Sequence, residues 1–181
     1  GKTVPDISLN AVANLGYAEC RFLKPVHRHE TLSAVSEVIG LKENSNRQTG
    51  IVYVRTTGLN QDGETVLSYV RWVMVRKRDV EAVVADQSAP ALAGAVSAGD
   101  LVLTPGLDFS GYDTVLAGSP HLWDDYAAGE KIDHVDGVTV EESDHMLATR
   151  LYQNTAKVHF NQHTEGQGRF GRRLIYGGHV I

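Results

Sequence analysis

Between positions 31 and 78 the chain offers three β-forming runs with only turn chemistry between them. No other feature limits the fold as tightly. The runs are 31–41 (TLSAVSEVIGL), 49–57 (TGIVYVRTT) and 64–78 (ETVLSYVRWVMVRKR). Asn44-Ser45-Asn46 separates the first two, and Asn60-Gln61-Asp62-Gly63 the second two. Links this short join antiparallel neighbours, because a parallel crossover needs about a dozen residues or more. In the last run Val66, Ser68, Val70, Trp72 and Met74 recur at period two, which puts them on one side of a pleated strand. The expectation is an antiparallel meander.

The flanks add helices. Pro5 and Asp6 are helix-start residues, and Ile7, Leu9, Val12, Ala13 and Leu15 follow at mixed helical spacing, which predicts a helix over 6–17. A short strand over 20–23 then ends before Pro25. Residues 80–122 are rich in Ala, Gly, Ser, Asp and Pro and show weak periodicity; they form a connection in which Leu101, Val102, Leu103, Leu107 and Phe109 are able to pack. Beyond Trp123 a strand is predicted over 131–140. A helix follows over 141–152 (EESDHMLATRLY), with an acidic first turn that suits the helix dipole and with Met146, Leu147 and Leu151 as its apolar residues. The class is therefore α+β.

The charge balance narrows the partners. A formal net charge of -5 disfavours nucleic acid, and the basic runs at 76–78 and 169–173 are too short to reverse it. The single cysteine, Cys20, cannot build an internal disulfide, so a reducing compartment is expected, with Cys20 a small buried residue at the end of a helix. No apolar run is long enough to span a membrane, and residues 1–5 lack the apolar stretch of a signal peptide, so the expected location is the cytoplasm. The two ends echo each other: Thr3-Val4-Pro5-Asp6-Ile7 leads into the apolar segment, and the chain closes on Gly177-Gly178-His179-Val180-Ile181. The echo suggests a repeat whose second copy begins at the C-terminal end.

Two segments carry a resemblance. Asn154-Thr155-Ala156-Lys157-Val158-His159, followed by Gly171-Arg172-Arg173-Leu174-Ile175-Tyr176-Gly177-Gly178-His179, resembles the catalytic segment of the MaoC-like hot-dog hydratases. The wider string WDDYAAGEKIDHVDGVTVEESDHMLATRLYQNTAKVHF is similar in particular to the branch of that family that hydrates mesaconyl-CoA, and residues 7–79 resemble its first half. The resemblance implies a hot-dog fold, a long central helix wrapped by antiparallel sheet, in a tandem or double form with the second repeat incomplete in this chain. It divides the chain into a first repeat from its central helix onward (1–79), the connection (80–122) and the start of a second repeat carrying the catalytic segment (123–181). It also implies pairing of hot-dog units, as a homodimer or a tandem repeat.

The implied reaction adds water to a 2-enoyl-CoA thioester, with mesaconyl-CoA giving β-methylmalyl-CoA. Coenzyme A enters as part of the substrate, and neither a metal nor a dissociable cofactor is expected. His159 is the expected acid/base, because its unperturbed pKa lies near working pH. Where the family pattern has Asp, this chain has Asn154, which cannot accept a proton but can orient water through its amide. Gly178 is expected to open a helix whose backbone amides, with that of His179, meet the thioester oxygen. Arg169, Arg172 and Arg173 are the expected anion binders, and Tyr176 and Gly177 are expected to line the substrate. Competing expectations are a structural His159, a simple turn at Gly177-Gly178, a solvated basic turn at 169–173, and surface or supporting places for His134, His145 and His163. At the level of function they are a hot-dog thioesterase, or a non-catalytic acyl-CoA-binding or structural module.

Overall fold

The computed structural model describes residues 5–118 and 120–180. The echo between the two ends lies partly outside them. Helix α1 (Pro5–Leu9) leads into four long strands, β1 (Ala11–Phe22), β2 (Ser33–Glu43), β3 (Thr49–Leu59) and β4 (Thr65–Arg76). They form one sheet of order β1-β4-β3-β2, antiparallel at every pairing. The meander predicted for 31–78 is present, and its turns follow their residues. Asn60 Oδ1 accepts the backbone N–H groups of Asp62 and Glu64, and Gly63 takes φ +76°.

The helix predicted over 6–17 ends at Leu9, and β1 replaces it. The cause is visible in the pairing of β1 with β4. The register shifts between Ala11 and Ala13, between Asn14 and Gly16, and between Ala18 and Arg21. Each irregularity breaks the period-two alternation, so the apolar residues take on a helix-like spacing. The last shift holds Glu19 at φ +51° and aims its carboxylate at Arg55 on β3, 2.7 Å away. That ion pair and hydrogen bond hold the Glu19 carboxyl below its usual range. Cys20 is exposed on β1 rather than buried at a helix end, because the strand replaces the helix.

The buried apolar residues of the sheet are Val54, Val66, Val70 and Val73. Trp72 lies between Tyr53 on β3, its ring stacked at 6.1 Å, and Gly16 on β1. A Cβ at position 16 would sit 2.5 Å from the Trp72 ring, so glycine is needed there for room.

Residues 104–140 form a second compact unit, while 1–103 and 141–181 make up the first. The strand predicted over 131–140 does not form. Those residues are exposed, and their local bonds are turn-like: Asp133 accepts the Val135 N–H, and Val135 has φ +56°. Without a neighbouring strand the ladder bonds have no partner, and the Asp side chain competes for the backbone instead. The predicted helix over 141–152 is α2 (Glu142–Leu151). Short helices α3 (Lys157–Phe160) and α4 (Gln162–Glu165) follow, then a 3-10 turn, Gly177–His179. Among the described residues no helix is long and apolar enough to cross a membrane.

Gly16→Ala is expected to lower stability by about 1–3 kcal/mol through overpacking against Trp72. Gly58→Ala, whose new Cβ would meet Leu67 at an ordinary 3.5 Å, should be neutral or slightly stabilising. Urea midpoints of the two variants check this, and equal midpoints would contradict the Trp72 contact.

Candidate active site

The site is a strap of backbone held between two histidines. Helix α2 starts on acidic residues, Glu142 and Asp144, and carries Arg150 in its last turn, both favourable to its dipole. It ends in a Schellman closure. Gln153 takes φ +51°, its N–H donates to the Arg150 carbonyl, and the Asn154 N–H donates to the Thr149 carbonyl, both at 3.0 Å. This closure turns the chain into the 154–159 segment. There Asn154 Oδ1 accepts the Ala156 N–H at 2.9 Å, which leaves the amide NH2 as the donor of that side chain.

His159, half-buried on α3, is oriented by the strap. Its Nδ1 lies 3.0 Å from the Leu174 carbonyl oxygen, and the Leu174 N–H donates to the Val158 carbonyl at 2.9 Å. A carbonyl only accepts, so Nδ1 carries the proton and Nε2 of the neutral ring has the lone pair. Two residues on, the Tyr176 N–H donates to Nε2 of His145 at 2.9 Å. His145 therefore holds the opposite tautomer, with its proton on Nδ1.

Rings crowd this point. His145 lies 6.3 Å from His159, edge to face, and 6.0 Å from His179; Tyr176 lies 5.5 Å from His159 and 6.3 Å from Tyr152. The Tyr176 ring covers Gly178, where a Cβ would approach it to 2.7 Å, so glycine is required under that ring. The turn spends the His179 N–H on the Tyr176 carbonyl at 2.9 Å. The first amides of a 3-10 turn have no internal partner, and among the described residues those of Gly177 and Gly178 have no acceptor.

His145 is 1% exposed, and burial, followed by the neighbouring His159, Arg173 and His179, holds its ring below the usual imidazole range; Glu142 opposes this. Arg173 donates to Glu142 at 3.2 Å, while its Nε and Nη1 are buried without a partner. Thr149, one helical turn from His145 on α2, is equally buried, and its hydroxyl also lacks a partner.

The other expected residues part company. Arg169 stacks over Phe170 at 5.4 Å and lines a cavity of about 840 Å³, along with Lys157, Arg76 and Arg78. Leu174 and Val158 also line that cavity. Arg172 is exposed, as are His134 and His163. No hydrogen bond joins Asn154 to His159 among the described residues.

His145 is the residue that the sequence reading placed at the surface or in support, and the structure buries it at the centre of the cluster. Two of the apolar residues of α2 lie outside: Leu147 is 59% and Leu151 71% exposed. The inward face is instead the polar pair His145 and Thr149, four residues apart, and that spacing was the available signal. Among the described residues, no group of three His, Cys, Asp or Glu is arranged to hold a metal ion.

A family model for mesaconyl-CoA hydratase matches residues 1–180. The chain belongs to the mesaconyl-CoA hydratase family. It is 70% identical, over its full 181 residues, to the mesaconyl-CoA hydratase of Cereibacter sphaeroides, of which it covers 52%. It is 59% identical to the β-methylmalyl-CoA dehydratase of Chloroflexus aurantiacus, of which it covers 51%. It thus spans about half the length of these relatives. A crystal structure of a MaoC domain protein dehydratase from Chloroflexus aurantiacus superposes with a TM-score of 0.91 at 59% identity, over 99% of this chain and 51% of that one. A Mycobacterium tuberculosis protein with a double hot-dog fold superposes with a TM-score of 0.53 at 22% identity, over 95% of this chain and 51% of that one, a likeness of fold alone. This member of the mesaconyl-CoA hydratase family has the α+β hot-dog fold, as its resemblance implied.

Because folding lowers the proton affinity of His145, the unfolded chain takes up that proton first as pH falls. The ring's contribution to stability is complete above an unfolded pKa of about 6.5 and is lost as pH drops from there through the depressed folded value. Urea midpoints at about pH 8 and about pH 5 should therefore differ more for the unaltered protein than for His145→Gln. Equal differences would mean that His145 is not the titrating group.

Proposed function

We propose that the protein is a hydro-lyase that adds water across the double bond of a 2-enoyl-CoA, with mesaconyl-CoA giving β-methylmalyl-CoA. One observation carries the reading. The Leu174 carbonyl fixes the tautomer of His159, so that its Nε2 is the proton acceptor, on the same strap that presents the unpaired amides of Gly177 and Gly178. The family and the names of the two relatives support the same substrate.

The steps balance with these groups alone. Asn154 donates its amide N–H to the attacking water, and His159 Nε2 takes a proton from that water as its oxygen bonds to the β-carbon. Electron density moves through the α-carbon onto the thioester oxygen, where the Gly178 N–H, with that of Gly177, stabilises it. His159 then delivers its proton to the α-carbon, which restores the neutral ring. Dehydration is the same sequence reversed.

Arg173, with two buried donors unspent, suits the free carboxylate of the substrate, with the exposed Glu142 as the partner it exchanges. Arg169, Lys157 and Arg78 on the cavity wall suit the phosphates of coenzyme A, and Arg172 flanks them in sequence. No dissociable cofactor is needed. The reading includes a cytoplasmic location and paired hot-dog units, as a homodimer or a tandem repeat.

His159→Ala is expected to lower kcat for mesaconyl-CoA hydration by about 10²–10⁴-fold while coenzyme A esters still bind. Full activity in this variant sinks the acid/base role. Release of free coenzyme A thiol in place of β-methylmalyl-CoA would favour a thioesterase. Arg173→Gln should raise KM for mesaconyl-CoA by about tenfold or more, with little change for an enoyl-CoA that lacks the free carboxylate. Equal losses on both substrates would remove Arg173 from carboxylate recognition.

A further inference from the structure

We propose that His145 is a positioning residue for the reaction: its buried Nε2 accepts the Tyr176 N–H and thereby sets the strap on which the Gly177 and Gly178 amides and the His159 ring are mounted. The inference rests on the reading of His159 as acid/base and adds to it a residue that touches no substrate.

The geometry supports this in three ways. First, among the described residues no strand pairs with the strap, so its polar groups must find partners elsewhere. The Leu174 carbonyl takes His159, and the Tyr176 N–H takes His145, at 3.0 and 2.9 Å. Second, Tyr176 is the residue immediately before the Gly177–His179 turn, and its carbonyl accepts the His179 N–H, so a shift of Tyr176 moves the free glycine amides with it. Third, the Tyr176 ring lies against both His159 and Gly178, which couples the acid/base to the amides through one side chain.

A neutral ring is required for this role. Protonated, His145 would carry N–H on both nitrogens, and Nε2–H would face Tyr176 N–H donor to donor. The groups facing it are His159 from α3, His179 from the turn, Arg173 from the strap and Glu142 from its own helix. Only the last carries negative charge, and its side chain is 76% exposed. Burial first, and these neighbours after it, keep the proton off His145.

The test compares His145→Leu, which fills the space without an acceptor, with His145→Gln, whose amide oxygen restores one. His145→Leu should lower kcat by about tenfold or more with KM within about threefold, and His145→Gln should recover most of that kcat. The proposal fails if His145→Leu keeps its kcat, or if His145→Gln is as impaired as His145→Leu. Should the leucine variant not fold, nitrogen-15 NMR of the unaltered protein at neutral pH decides. The His145 ring is expected to be protonated at Nδ1, with its bare Nε2 coupled to the Tyr176 amide; the opposite tautomer overturns the proposal. The two readings fail separately. A fully active His145→Leu beside an inactive His159→Ala removes only the positioning role, and an active His159→Ala removes the acid/base role whatever His145 does.

Discussion

The hydrogen bonds that tie residues 174–176 to two imidazoles are what the rest of the site depends on. An extended segment outside a sheet has backbone groups that water or side chains must satisfy, and here the environment is partly buried. The Leu174 carbonyl demands a donor and the Tyr176 N–H demands an acceptor, so the two rings are forced into opposite tautomers. Each ring thereby acquires a different chemical capacity from the same residue type. His159 bonds the strap through Nδ1 and keeps its Nε2 lone pair, and His145 spends its own on the Tyr176 N–H. No separate device is required to distinguish them, because the polarity of the peptide unit does it.

The sheet supplies the stiffness behind this arrangement. β1 is bound along its length to β4, yet its three irregularities let it bend and twist as a regular strand would not. Gly16 accommodates the Trp72 ring, and Glu19 reaches Arg55 across the strand between them. Helix α3, which carries His159, packs on β1, so the proposed acid/base rests on the most irregular strand of the sheet. A bulge beside a functional element is a common way of re-aiming what lies on it.

What the sequence revealed follows from how local each determinant is. Strands β2 to β4 are legible because alternation and Asn/Gly turns are encoded within a few residues. Strand β1 is not, since its bulges answer to β4, whose paired residues lie 45 to 64 positions further along the chain. The absent strand at 131–140 failed for the converse reason: its residues have β character but no partner to form a ladder. Helix α2 is legible from its acidic start, but its inner face is not, because that face is His145 and Thr149 rather than leucine. The role of His145 depends on a backbone N–H 31 residues later, and no periodicity carries that information. His159, the Arg cluster and the glycines came from a resemblance, since spacing alone does not separate a catalytic histidine from a structural one.

Position 154 holds Asn where the family pattern that the chain resembles has Asp. Two imidazoles and Arg173 surround His145, and Glu142, the carboxylate that acts on it, is largely in solvent. An aspartate at 154 would place a fixed negative charge next to the Ala156 N–H. Asn154 makes the same bond to Ala156 and contributes no charge. Under the proposed reaction, negative charge enters with the substrate carboxylate and grows on the thioester oxygen. A site with no internal carboxylate leaves that charge to be met by the protein's donors alone. The cost is the loss of a second proton-accepting group, which concentrates proton transfer on His159 and makes the tautomer set by Leu174 decisive.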